Sequence, residues 1–301
     1  MGGTSTAELC IIDYTVSTGE STGYYSVAAM TFLTWDLIVS FAEEVNLVWQ
    51  RPNGWSRWLY AFIRYVPLLA ETGFFAYFAV QARSLPDFSG GQCNATVLTA
   101  SVVLHSVIVG VEVVLLVRVH ALYDRSRNMT FALVAAFATS LSASILGIYF
   151  ALRRLSYDGQ CLVSSAPRIM LLAWLSPVVF ETFLFILTMM KFRESRLEGL
   201  SDKRPLLNTI VRDGSWGFVL ALVVMVLNAV IYTMNSDSLT GKFYFWALSI
   251  LSFVGSHVLL NLRATASDSR SSDPWDSSGE TVTEIQFQVD STNASNAGDP
   301  S

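Results

Sequence analysis

Charge is what this chain has least of. Only 14% of its 301 residues are Asp, Glu, Lys or Arg, against about a quarter in an ordinary soluble domain. That shortage excludes the usual solvated globule. No basic stretch with interleaved aromatics is present, so nucleic-acid binding has no support. Neither H-E-x-x-H, nor G-x-S-x-G, nor a phosphate-binding glycine loop occurs, which removes the common hydrolase and nucleotide chemistries. Histidine occurs three times, as His105, His120 and His257, too widely spread along the chain to suggest a shared tetrahedral zinc site. The first 23 residues lack the basic start and long apolar core of a signal peptide, so the first apolar span is expected to target the chain itself.

Apolar mass is abundant instead. Hydrophobic residues make up 52% of the chain and the mean hydropathy is +0.45. Runs of the roughly 17–25 residues that a helix needs to cross a bilayer recur along it. They fall at Tyr24–Val45, Trp58–Val80, Val97–Val119, Met129–Leu152, Ile169–Met190, Trp216–Met234 and Phe243–Leu262. The predicted fold is all-α, a polytopic membrane protein of seven helices. Lys and Arg in short connections bias those connections to the cytoplasm. With the N-terminus outside, 13 of the 19 Lys and Arg lie in cytoplasmic segments, five lie outside, and Arg64 lies within a span. The pattern predicts an N-out, C-in, receptor-like bundle. Residues 1–23 are read as an extracellular N-terminus and residues 24–262 as the membrane domain. Residues 263–301, rich in Ser, Asp, Thr and Asn, are read as a disordered cytoplasmic tail.

The few charges inside these spans are the candidate functional groups, because an ionisable residue in hydrocarbon is costly and usually faces the bundle interior, a partner or a cavity. Asp36 lies about 18 Å below the outer end of the first span, and Glu71 about 14 Å below that of the second, at about 1.5 Å per residue. Arg64 stands near the level of Glu43 and Glu44, where a bidentate Glu–Arg pair is favourable. His105 and Glu112 lie on the third span and Glu181 on the fifth; Asn228, His257 and Asn261 add further polarity. Asp36, Glu71, His105, Glu112 and Glu181 together read as a polar core responsive to protons, cations or a ligand. The alternative is that some of these acids reach the interface and the others serve as hydrogen-bonding glue.

Specific stretches carry a resemblance. "WDLIVSFAEEVNLVW" followed by "LYAFIRYVPLL" resembles the signature region, about residues 24–70, of a fungal, mainly basidiomycete, seven-helix membrane family known as domain of unknown function 6533. The matching positions are Asp36, Glu44, Val45, Trp49, Tyr60, Arg64, Tyr65 and Pro67, with Trp55 in the short basic loop. Further likeness runs through "VRVHALYDRSR", "VRDGSWGF" and "LLNLR". The resemblance implies the seven-helix fold and makes Glu44, rather than Glu43, the partner of Arg64 in a buried ion pair. It supplies no function.

Function therefore rests on outline and on missing motifs. A retinal pigment would need a Lys in the seventh span, which has none. Rhodopsin-like receptors carry Asp/Glu-Arg-Tyr and Asn-Pro-x-x-Tyr where this chain reads "VRVHALY" and "HVLLNLR". The favoured reading is a receptor-like sensor or signalling protein, with a proton- or cation-coupled transporter as the alternative and a membrane-embedded hydrolase behind both. No enzyme activity, cofactor or metal site is expected. The expected partners are the lipid bilayer, a ligand of unknown chemistry and a cytoplasmic signalling protein, and the expected location is the plasma membrane or another membrane of the secretory pathway. Cys93 and Cys161 both fall outside under this topology, where a disulfide between them is favoured. Cys10 is also outside and competes with either.

Overall fold

The computed structural model describes residues 6–50, 54–81, 90–123, 126–157, 163–165, 167–197, 205–233 and 237–271. In lipid, backbone N–H and C=O groups must be satisfied within the protein, and a helix does this locally. The apolar runs accordingly sit in seven helices: α1 (Thr6–Glu44), α2 (Trp55–Gln81), α3 (Gly90–Leu122), α4 (Arg127–Leu152), α5 (Met170–Leu197), α6 (Pro205–Thr233) and α7 (Asp237–Ser271). A π-helix, Val45–Trp49, continues α1. The strands among the described residues are a two-stranded antiparallel pair in the α4–α5 connection, β1 (Ser156–Tyr157) and β2 (Val163–Ser165).

Among the described residues, five helices are long and apolar enough to cross a membrane, and α6 carries a shorter apolar stretch, Trp216–Ile231. This is an integral membrane protein. α2 falls short of the other five in apolarity because Arg64 and Glu71 lie in its middle, and both are buried against other helices. α7 continues past Leu262 to Ser271, so the first part of the segment read as tail is helical. Residues 272–301 lie outside the described residues.

Neighbouring helices pack in chain order, α7 closes the ring on α1, and α3 also meets α5 and α7. α7 is the most enclosed, with 67% of its apolar stretch buried against 22% for α4. The burial pattern is inverted relative to a soluble bundle. On α1 the large apolar side chains Trp35, Ile38, Val39 and Phe41 face outward, while Asp36, Ser40 and Glu44 face in at four-residue intervals. α4 repeats this, exposing Phe131, Val134 and Ile145 and burying Ser140, Ser144 and Gly147. Small residues let the backbones approach: a Cβ at Gly147 would lie 2.7 Å from the Ala173 amide nitrogen, and one at Gly255 would lie 2.7 Å from Ile63 Cγ2.

Two prolines lie inside helices, Pro67 in α2 and Pro177 in α5. Each removes the N–H that would bond the carbonyl four residues earlier. For Pro67 that carbonyl belongs to Ile63, and Ser252 Oγ of α7 donates to it at 2.8 Å. For Pro177 it belongs to Ala173, which the His105 ring of α3 approaches. A neighbouring helix thus supplies the donor that Pro67 withdraws. Cys93, near the N-terminal end of α3, is buried and disulfide-bonded. The expected partner Cys161 and the side chain of Cys10 lie outside the described residues.

The Pro67 account makes a specific prediction. Ser252→Ala strands the Ile63 carbonyl and is expected to lower stability by roughly 1–2 kcal/mol. Adding Pro67→Ala restores the N–H within α2, and the double variant is expected to regain most of that loss. Thermal unfolding of the purified variants in one detergent checks this; a double variant no more stable than Ser252→Ala contradicts it.

Candidate functional site

The densest polar cluster lies where α1, α2 and α7 meet. Asp36 of α1 accepts from Arg64 Nη1 of α2 through Oδ2 and lies 2.9 Å from His257 Nε2 of α7 through Oδ1. Arg64 Nη1 also reaches Ser256 Oγ of α7 at 3.1 Å. Its Nη2 donates to the Asp36 carbonyl at 3.0 Å and to Ser40 Oγ. Ser40 Oγ in turn donates to the same carbonyl at 2.6 Å. Both carboxylate oxygens and both terminal guanidinium nitrogens are engaged, which is the condition for an ion pair to survive away from water. Arg64 is 3% and Asp36 7% exposed, whereas the His257 side chain keeps 26% of its surface open. The His257 ring packs on Phe253, with centroids 4.4 Å apart.

Arg64 does not pair with Glu44, and the expected Glu44–Arg64 bridge is corrected accordingly. Counted from the turn between α1 and α2, Arg64 comes level with Ser40, midway between the two acids. Glu44 is committed elsewhere: its Oε1 accepts from Trp49 Nε1 at 2.7 Å and from the Tyr65 hydroxyl at 2.5 Å. Neutral donors therefore hold Glu44 through Oε1, with Oε2 buried and without a hydrogen-bond donor, and the guanidinium goes to Asp36. Of the two adjacent acids, Glu44 is fully buried and Glu43 is exposed.

Residues 24–69 match the model of a family of unknown function, DUF6533. The matched segment holds the α1 and α2 half of the cluster, including Asp36, Ser40, Glu44, Arg64 and Tyr65. No curated protein and no solved structure matches the chain.

The α7 half of the site lies outside the DUF6533 segment, and apart from His257 it escaped the sequence reading. Ser249, Ser252 and Ser256 are each fully buried and share one face of α7 with Gly255. Ser249 Oγ donates to Glu71 Oε1 at 2.7 Å, Ser252 to the Ile63 carbonyl, and Ser256 receives Arg64. Their spacing of three and four residues was a legible signal of a helix–helix interface, but ionisable residues drew the attention first. Near the end of this face Arg263 donates to the Leu47 carbonyl at 2.9 Å and to Ser56 Oγ at 2.5 Å. Leu47 belongs to the π-helix, a form that often marks functional positions.

The remaining acids and His105 are dispersed. Glu71 is buried one helical turn or more outward of the cluster, held by Ser249. His105 Nδ1 lies 2.9 Å from the Ser101 carbonyl and its ring packs on Trp174, so it serves the α3–α5 contact. Glu112 and Glu181 are buried at one level of α3 and α5, each seven residues on from the His105–Trp174 contact and apart from the α1–α2–α7 cluster. An open apolar cavity of about 490 Å³ between α2 and α3 is lined by Phe74, Tyr77, Thr96 and Val103, and none of the acids borders it. Among the described residues, no three His, Cys, Asp or Glu side chains come together as a metal site requires.

The two acids nearest Arg64 are expected to behave differently. Asp36→Asn strips a buried guanidinium of its counter-ion, at a cost of roughly 3–5 kcal/mol. Glu44→Gln keeps an acceptor for Trp49 and Tyr65 and is expected to cost about 1–2 kcal/mol. Yields of monodisperse protein and unfolding midpoints in detergent check the order, which a larger loss in Glu44→Gln would reverse.

Proposed function

We propose that the protein is a receptor-like sensor or signalling protein of the plasma membrane or another secretory-pathway membrane, with α7 as its relay. One observation carries this reading: α7 holds Asp36 within the membrane through His257 and, six residues on, holds the π-helix and the start of α2 through Arg263. A perturbation of the inner charge cluster then has a rigid path to the end that the distribution of Lys and Arg assigns to the cytoplasm. Coupling of this kind needs an element with two arrangements that both ends bias. The hydrogen-bonded ion cluster, tight on α1 and α2 and part-open at His257, supplies such an element. The cytoplasmic partner is a signalling protein that reads the π-helix and the ends of α2 and α7.

The test places spin labels at exposed Gln50 and exposed Asn261 of the full chain in lipid nanodiscs, one on each side of the Arg263 contact. His257→Ala is expected to change the distance distribution between the labels. Arg263→Ala is expected to produce a similar change alone and to make the core substitution silent. A distribution unaffected by His257→Ala contradicts the relay. Concentrative solute uptake by the same protein in liposomes would favour the transport reading instead.

A further inference from the structure

The α3–α5 side of the bundle holds a second polar feature that the relay does not use. Glu112 of α3 is 2% exposed and Glu181 of α5 is fully buried, and each lies seven residues on from the packed His105–Trp174 pair, which puts both carboxyls at one level of the α3–α5 contact. Oε1 of Glu112 and both carboxylate oxygens of Glu181 have no hydrogen-bond donor. Backbone N–H groups of the surrounding helices are taken up by the helices themselves. Arg118 lies six residues along α3, about 9 Å away along the axis, and its guanidinium sits over the Phe218 ring of α6 at 5.8 Å.

An independent observation comes from α4. Ser140 is 5% exposed and its hydroxyl is likewise unpartnered. The α4–α5 register is fixed by the Ser144–Ser176 hydrogen bond of 2.7 Å and by the close approach of Gly147 to Ala173. Phe137 packs on Phe180 in the same register. Ser140 therefore falls level with Phe180 and Glu181, on the face of α4 that meets α5. Three helices thus bring unpaired oxygen atoms to one level of an apolar interior, with no cation among the described residues to meet them.

We propose that Glu112, Glu181 and Ser140 form a binding site for one small monovalent metal ion of the sodium class. Oxygen ligands of this kind suit hard cations rather than soft ones. One ion, together with one proton retained by the acid pair, leaves the site electrically neutral, which a buried site requires. The extra hydroxyl separates this from a closed pair of carboxylic acids, which would satisfy itself and leave Ser140 without a role. None of these residues belongs to the α1–α2–α7 cluster, so the inference does not rest on the signalling reading.

The test titrates sodium chloride against the full chain in detergent, with choline chloride holding ionic strength constant, and follows the unfolding midpoint. The wild type is expected to rise in midpoint with sodium and to saturate. Glu181→Gln and Glu112→Gln are expected to abolish the response, and Ser140→Ala to weaken the apparent affinity by about tenfold. Infrared difference spectra of the wild type, recorded with and without sodium, supply a readout that does not depend on any variant folding; a change in carboxyl bands is expected. A wild type whose midpoint and carboxyl bands ignore sodium overturns the site in favour of a closed acid pair. So does a sodium response that survives in Glu181→Gln.

Discussion

A guanidinium with nowhere polar to go sets the terms for this bundle. Arg64 lies in the middle of a helix surrounded by apolar side chains and is 3% exposed, so its charge must be met by protein. Asp36 meets it, and Ser40, Ser256 and the Asp36 carbonyl engage its two terminal nitrogens. Because these groups come from α1, α2 and α7, satisfying one side chain fixes three helices. His257 takes the remaining Asp36 oxygen. Water-driven burial cannot do this work between helices in lipid, where packing and hydrogen bonds hold the structure.

The small residues of α7 make that solution reachable. Gly255 lets the backbone come against Ile63 and Val111, and Ser252 and Ser249, one and two turns before it, then find acceptors on α2. Pro67 is part of the same design, since the carbonyl it frees is the one Ser252 occupies. A proline-bearing α2 and a serine-faced α7 are complementary because one withdraws a donor where the other provides it. At the end of α7 Arg263 extends the contact to the π-helix, so one helix face links the charge cluster with the membrane surface.

Much of this was legible in the sequence, for physical reasons that also explain what was not. Seven apolar spans stand out because the bilayer demands a minimum helix length. Asp36, Glu44, Glu71, Arg64, Glu112 and Glu181 are all buried as their positions in those spans implied. The partner of Arg64 was misread because depth alone does not distinguish an acid one turn above from an acid one turn below. Trp49 and Tyr65 decide the matter by occupying Glu44, and neither is ionised at neutral pH, so charge counting passes over them. Ser249, Ser252 and Ser256 were missed for the same reason. The facing of Glu112 and Glu181 depends on how α3 and α5 are rotated, which spacing within each helix does not reveal.

The claim on which the account depends is that Asp36, and not Glu44, is the counter-ion of Arg64. Double-mutant cycles built on alanine substitutions, one for Asp36 with Arg64 and one for Glu44 with Arg64, measure each coupling directly from unfolding free energies. The account predicts a coupling of about 2–3 kcal/mol for Asp36 with Arg64 and less than about 0.5 kcal/mol for Glu44 with Arg64. A near-zero coupling in the first cycle, or the larger one in the second, would contradict it.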